Sequence, residues 1–363
     1  MLKEETIPIE IFYAGPEEAF SGPVQAALEL LGNVRLRDLE AALAELHAQG
    51  LRSIDPLPTP DVLRSYAAKV YAVQACSFRE ALLLDAGALP FVATDRFFAL
   101  PSYRRHGLAL FSDYVAIDRG QWAPVLRSLC LDHRAVARAL RGRELDSSCV
   151  VLDKVTNADA LAVALALNGP RLQAQTYAAL VGDKDTWALA MLHVGKHVSL
   201  DGLEPGYLLL AREEAWEGRA RARKVGGHLQ FYRDPVTQAL VPLHHNNQLL
   251  DLREYRALAA GAYMETFAHL GDVLLPGTRR RDCRPFPVED LLRLTPAMHG
   301  TYLAVAEALR AHGIDHCGCR EDWISCEADV ERVRQKRWPL RWIDALSPKR
   351  RQRPRTGAAG GLR

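Results

Sequence analysis

The stretch that decides the fold begins Gly226-Gly227-His228-Leu229-Gln230-Phe231-Tyr232-Arg233 and turns at Asp234-Pro235. It returns as Ala239-Leu240-Val241-Pro242-Leu243. Two short runs of apolar and aromatic residues, bounded by Gly-Gly and joined through Asp-Pro, predict an antiparallel hairpin whose connection is longer than two residues. Most of the chain around it reads as helix. Leu36–Gln49 is amphipathic, with Gly50 placed to cap it. Thr59-Pro60-Asp61 is a good helix start, and the apolar positions Val62, Tyr66, Val70 and Val73 carry that helix to about Asp85, with Gly87 ending it. Helical spacing recurs over 23–31, 122–140, 157–168, 172–180, 184–194, 251–270, 288–294 and 295–312. Ile7–Ala14, Val150–Leu152 and Tyr207–Leu210 read as strands, and residues 88–120 as irregular and rich in aromatics. The expected fold is α+β, predominantly helical with a small antiparallel β element near 228–243. Pro56, Pro58 and Pro60 form a stiff connector, so the expected division is 1–55, 59–200, 201–331 and a basic tail, 332–363.

Composition narrows the function classes. With 48% apolar and 25% charged residues the 363-residue chain can bury a core, which excludes a largely disordered protein. No apolar run approaches the ~18 residues that a membrane span needs. The start, Met1-Leu2-Lys3-Glu4-Glu5, lacks a secretory pattern, and seven cysteines are an odd number; reduced thiols in a cytoplasmic protein are the expectation. The formal net charge is only +2, but residues 332–363 hold 11 basic residues and one acid, Asp344, leaving 35 basic and 43 acidic residues before them. An acidic body with a cationic tail suits a polyanion, or an acidic protein partner, as well as a solvated terminus.

Several motifs are absent. The chain contains no G-x-x-x-x-G-K-[ST], no G-x-G-x-x-G after a strand, no G-x-S-x-G, no H-E-x-x-H and no C-x-x-x-C-x-x-C. The sequence leaves the cofactor unknown. The sharpest polar cluster is His244-His245-Asn246-Asn247-Gln248, read as a loop between the second hairpin strand and a helix. Imidazole can transfer protons near neutral pH, so His244 and His245 are candidate acid–base groups, and Asn247 a candidate for positioning a reacting group. The same run also suits a polar turn in which Asn247 or Asp251 caps the next helix. His312, His316, Cys317, Cys319 and Cys326 include soft ligands, but their spacing is not that of a standard zinc site, and no metal is assigned.

Arginine runs add a phosphate signal. Arg219, Arg221, Arg223 and Lys224 lie before the hairpin, and Arg279, Arg280, Arg281 and Arg284 after Gly277, both in expected loops. Guanidinium grips phosphate bidentately. In the tail, Lys349, Arg350, Arg351, Arg353 and Arg355 are the expected phosphate contacts, with Trp338 and Trp342 docking the last helix. Asp113, Asp118 and Arg119 are candidates to line a pocket with Tyr103, Arg104 and His106. The six residues Ile11-Phe12-Tyr13-Ala14-Gly15-Pro16 resemble the opening strand and turn of nucleoside deoxyribosyltransferases. No acidic nucleophile follows in a matching motif, so the resemblance is set aside. Taken together, the charges predict an enzyme that modifies or cleaves DNA, with DNA as its partner and no membrane. A non-enzymatic DNA-binding or assembly factor, or a small-molecule enzyme with an incidental tail, are the alternatives.

Overall fold

The computed structural model describes residues 7–246, apart from 55, 201, 217 and 218, and three short strands beyond them; for 207–228 and those strands it describes the backbone. The fold is α+β. In chain order the first elements are β1 (Ile9–Tyr13), α1 (Gly22–Glu29), β2 (Val34–Asp38), α2 (Leu39–Ala48), α3 (Pro60–Leu63) and α4 (Ala68–Ala75). There follow β3 (Glu80–Leu84), β4 (Ala88–Pro90), α5 (Asp95–Phe98), α6 (Pro101–His106), β5 (Leu108–Ala116), α7 (Arg119–Ser128) and α8 (His133–Ala139). Next come β6 (Arg143–Asp153), α9 (Ala158–Asn168), α10 (Gln173–Ala179) and α11 (Thr186–His193). Strands β7 (Leu203–Trp216), β8 (Arg219–Arg233), β9 (Leu240–Asn246), β10 (Met264–His269), β11 (Phe286–Pro287) and β12 (Leu291–Arg293) complete the set.

Three sheets organise these elements. β1 and β2 form a parallel pair. β6 is the centre of an antiparallel sheet ordered β3-β6-β5. The expected hairpin is present as β8 and β9, and it extends on both sides into a larger sheet ordered β12-β10-β7-β8-β9-β4, with β11 also on β8.

Burial on both faces of the central strand explains the layering. Val150 and Leu152 enter a large core with Tyr71, Trp122, Leu165 and Trp187 from the helices. Cys149 and Val151, pointing the other way, enter a second core with Phe97, Phe111, Leu203 and Leu243. Alternate residues of one strand thus serve two cores, which is why Cys149-Val150-Val151-Leu152 is continuously apolar.

The same reasoning corrects the long helix expected over 60–85. It is two short helices, α3 and α4, and then β3. Leu82 and Leu84 lean on the second core and Leu83 on the first, so Leu82-Leu83-Leu84 is a sandwiched strand, and an apolar run alone cannot distinguish that from helix. The helix read from Leu36 begins instead at Leu39, because Asp38 ends β2 and accepts from the N–H groups of Glu40 and Ala41 as an N-cap. Residues 264–269 and 291–293 are strands that pair with each other, not helix. Arg219, Arg221 and Arg223 lie within β8, not in a loop.

One turn carries a sharp steric demand. Gly107 follows α6 at φ +64, and a Cβ there would lie 2.9 Å from Asn157 Nδ2 and 3.3 Å from Asp153 Cβ. Asn157 Nδ2 donates to the carbonyls of Gly107 and His106, holding the end of α6 to the start of α9. Gly107→Ala should therefore cost about 1–3 kcal/mol, from the left-handed backbone and the displaced amide together, measurable by thermal unfolding.

Candidate active site

The functional region is best built from the strand that changes partners. After Leu84 the chain leaves the sheet of β6, turns through Asp85-Ala86-Gly87, and enters the other sheet as β4 beside β9. The turn is closed at both ends: Asp85 N–H donates to the Ser148 carbonyl at 2.8 Å, and Ala88 N–H to the Asp85 carbonyl at 2.8 Å. Asp85 therefore sits at the end of a strand where two sheets part, a placement that favours ligand sites in sheet proteins.

Opposite it, β6 is irregular. Ala109 of β5 pairs with Val151, but Phe111 pairs with Asp146, so β6 carries extra residues as a bulge between these positions. The bulge lets adjacent serines turn to different partners. The Ser147 hydroxyl donates to Asp183 Oδ1 (3.1 Å) and lies 3.2 Å from Lys69 Nζ. The Ser148 hydroxyl donates to Asp146 Oδ2 (2.9 Å).

Two half-buried lysines, each among carboxylates, follow from this geometry. Lys69, on α4, is 2.9 Å from Asp85 and 3.8 Å from Asp183. Burial alone would lower its pKa, but Asp183 and Asp85 outweigh burial and hold it above the usual lysine value. Burial pushes the Asp85 carboxyl up, and Lys69 opposes the rise. Asp183 is likewise raised by burial against the pull of Lys69. Lys184 is 2.9 Å from Asp113 and 2.5 Å from Glu144. Asp185, whose Oδ1 accepts from Leu145 N–H, is pushed well up by burial. Six carboxylates (Asp85, Asp113, Glu144, Asp146, Asp183, Asp185) and two lysines thus share one region. Among the described residues no three His, Cys, Asp or Glu side chains are arranged to hold a metal ion.

His244 and His245 are placed differently from the loop read in the sequence. Both lie inside β9, fully buried, between β8 and β4; His244 pairs with Gln230 and Pro90, His245 with Leu229 and Leu89. The reason is the pairing of β4, which covers the edge that a hairpin alone would leave open. His244 meets the Phe111 ring edge to face at 4.9 Å, and its Nε2 is 3.4 Å from Ser148 Oγ. Since the single Ser148 proton goes to Asp146, the serine oxygen is left to accept, and His244 Nε2 is the donor. That order is the reverse of a serine nucleophile, where the hydroxyl gives its proton to the imidazole. Gln230 Nε2 completes the row, donating to Asp146 Oδ2 (3.1 Å) and the Ser112 carbonyl (2.9 Å).

Other expected site residues separate. Asp113 pairs with Lys184, Asp118 caps α7 through Gly120 and Gln121 N–H, and the Tyr103 hydroxyl donates to Glu80, so these do not line one pocket. Asn247, Arg279, Arg280, Arg281, the cysteines from Cys283 onward and the whole basic tail, with Lys349, Arg350, Arg351 and Arg353, lie outside the described residues. For Arg219, Arg221 and Arg223 the structure gives the strand and not the side chains. Cys76, Cys130 and Cys149 are free thiols. No described helix is long and apolar enough to cross a membrane.

Sequence reading missed Lys69, Asp85, Asp146, Ser147, Ser148, Asp183 and Lys184. A signal existed for Asp85: an apolar triplet ending in Asp, with Gly two residues on, is a strand followed by a carboxylate and a turn. Asp183-Lys184-Asp185 gives no such signal, since a charge run usually lies on a solvated face.

Residues 3–123, which include this strand-to-strand crossing, match a family model described as "Mannosyltransferase putative". The chain is also similar to an alpha-1,3-mannosyltransferase of Saccharomyces cerevisiae, 25% identical over 170 residues, a match covering 38% of this chain and 26% of that protein. The chain thus spans about a quarter of the length of the curated relative it matches. Both matches are to proteins described as mannosyltransferases, and they overturn the DNA-modifying or DNA-cleaving reading, together with DNA as the partner. Basic clusters report an affinity for phosphate and other anions, and charge alone does not say which molecule carries them. The error lay in assigning that charge to nucleic acid.

Proposed function

We propose that the chain is a glycosyl-transfer domain that moves a mannosyl unit from a phosphate-activated donor to a hydroxyl of an acceptor sugar, with Asp85 at the centre of its site. One observation carries this reading: the matched segment holds the β3–Asp85–β4 crossing, where a largely buried carboxylate at a strand end is held by a lysine. The reaction breaks the bond from mannose C1 to the donor phosphate oxygen and forms one from C1 to the acceptor oxygen. The phosphate leaves with the electron pair, and the proton of the acceptor hydroxyl passes to that phosphate or to solvent water. A sugar presents hydroxyl donors, and a carboxylate fixed on a rigid element is a strong acceptor for them. Burial pushes the Asp85 carboxyl up, and Lys69 opposes that rise by favouring the charged form. The Asp85 side chain retains 11% exposure, so an edge is open to a ligand.

The test is direct. The full chain is incubated with radiolabelled mannose carried on a nucleoside diphosphate or on a lipid phosphate, and with a methyl mannoside acceptor. Time-dependent formation of a labelled disaccharide is expected. If neither donor yields transfer, and neither loses mannose to water, the reading is wrong.

A further inference from the structure

Exposed apolar side chains are ordinary when scattered and informative when they gather beside a polar site. Two gather beside the Lys69–Asp85 pair. Tyr66 and Val181 are each 57% exposed. Tyr66 is in the turn between α3 and α4, and the Lys69 N–H donates to its carbonyl at 3.3 Å. Val181 is in the turn between α10 and α11, followed directly by Gly182 and Asp183. The two turns meet. Gly182 lies against the base of the Tyr66 ring, and Asp183 Oδ1 is 3.8 Å from Lys69 Nζ. Tyr66 and Lys69 thus rest on consecutive residues of one segment, which sets the phenol ring beside the lysine that holds Asp85.

The ring is held by shape and not by burial. Gly182 has φ +72, and a Cβ there would lie 2.7 Å from Tyr66 Cγ, so the backbone and the contact both demand glycine. An aromatic side chain fixed in place while more than half exposed offers contact area with little ordering left for a ligand to impose. A pyranose matches such a surface. The C–H groups on one face of the sugar carry slight positive charge and suit the negative face of an aromatic ring, while the hydroxyls around its rim need polar partners. The half-buried Lys69 and the open edge of Asp85 supply polar partners next to the phenol ring.

We propose that Tyr66, flanked by Val181, is a stacking platform for a sugar ring, and that this ring is the neighbour, within an oligosaccharide acceptor, of the one that reacts at Asp85. The role of Asp85 in this inference rests on the transferase reading. Lys69 and the 182–183 segment stand between Tyr66 and Asp85, so the two residues meet successive rings and not the same one. Binding to the full chain is measured by calorimetric titration with methyl α-mannoside, an α-linked mannobiose and octyl α-mannoside. The proteins are the parent, Tyr66→Ala and Tyr66→Phe, each checked by thermal unfolding. The mannobiose is expected to bind the parent more tightly than methyl mannoside does. Tyr66→Ala should weaken mannobiose binding about fivefold and leave methyl mannoside unchanged, and Tyr66→Phe, which keeps the ring, should retain the parent's affinity. Because binding is read without turnover, this pattern in a protein that transfers no mannose removes the reaction and leaves the platform. Mannobiose binding that is absent in the parent, equal in Tyr66→Ala or lost in Tyr66→Phe overturns the proposal. So does a loss in Tyr66→Ala that is the same for both sugars, or one seen only with octyl mannoside, which marks an apolar chain as the occupant.

Discussion

Lys184→Met should destabilise the protein by about 3–5 kcal/mol, the cost of removing one partner from a buried ion pair. Lys184 is 14% exposed and its partners Asp113 and Glu144 are 5% and 7% exposed, so solvent screens little of the loss. The methionine fills similar volume, which confines the effect to charge. The pH dependence of the variant carries a definite sign. Asp185 is already raised above its ordinary value by burial, and Lys184 is the chief influence lowering it. Without the lysine the rise is larger. Between the ordinary aspartate value of 3.8 and that raised value, the folded state binds more protons than the unfolded state, so stability increases as pH falls. Thermal unfolding at pH 7.5 and pH 5 should show the variant regaining part of its deficit at the lower pH relative to the parent. A deficit under about 1 kcal/mol, or one unchanged by pH, would show that the buried lysine is not the counter-charge for this group.

Asp85→Asn is the second large effect, and it falls on function. The substitution keeps size and shape, and leaves Lys69 with Asp183 at 3.8 Å and the Ser147 hydroxyl at 3.2 Å, so the fold should survive. What is lost is the carboxyl acceptor at the strand end. Removing one preorganised electrostatic partner from a reaction centre costs about 10²–10³ in turnover. Mannosyl transfer, normalised to folded protein by circular dichroism, should fall by that amount. Transfer within about threefold of the parent would remove Asp85 from the reaction and leave it a structural role beside Lys69.

The two lysine sites differ in how visible they were beforehand. The apolar run Leu82-Leu83-Leu84 before Asp85 joins smoothly onto the helical periodicity of 62–73. Nothing local distinguishes a strand buried on both faces from a helix segment of equal length. Arg219–Lys224 erred in the other direction: a basic run looked like a loop and proved to be strand. His244 and His245 looked like an exposed polar turn because their cover, β4, lies more than 150 positions earlier in the chain.

Local features are legible in the amino-acid order: the β8–β9 hairpin, the starts of α3 and α9, the helices α7 to α11, and a mixed α+β class. Each rests on residues within one or two turns of each other, where capping, backbone restriction and periodicity act. Which polar residues are buried, and with whom, is set by long-range packing. Burying Asp85 or Asp183 is tolerable when Lys69, from α4, arrives at 2.9 and 3.8 Å. Coulomb energy depends on that distance and on the surrounding dielectric, and neither is written along the chain.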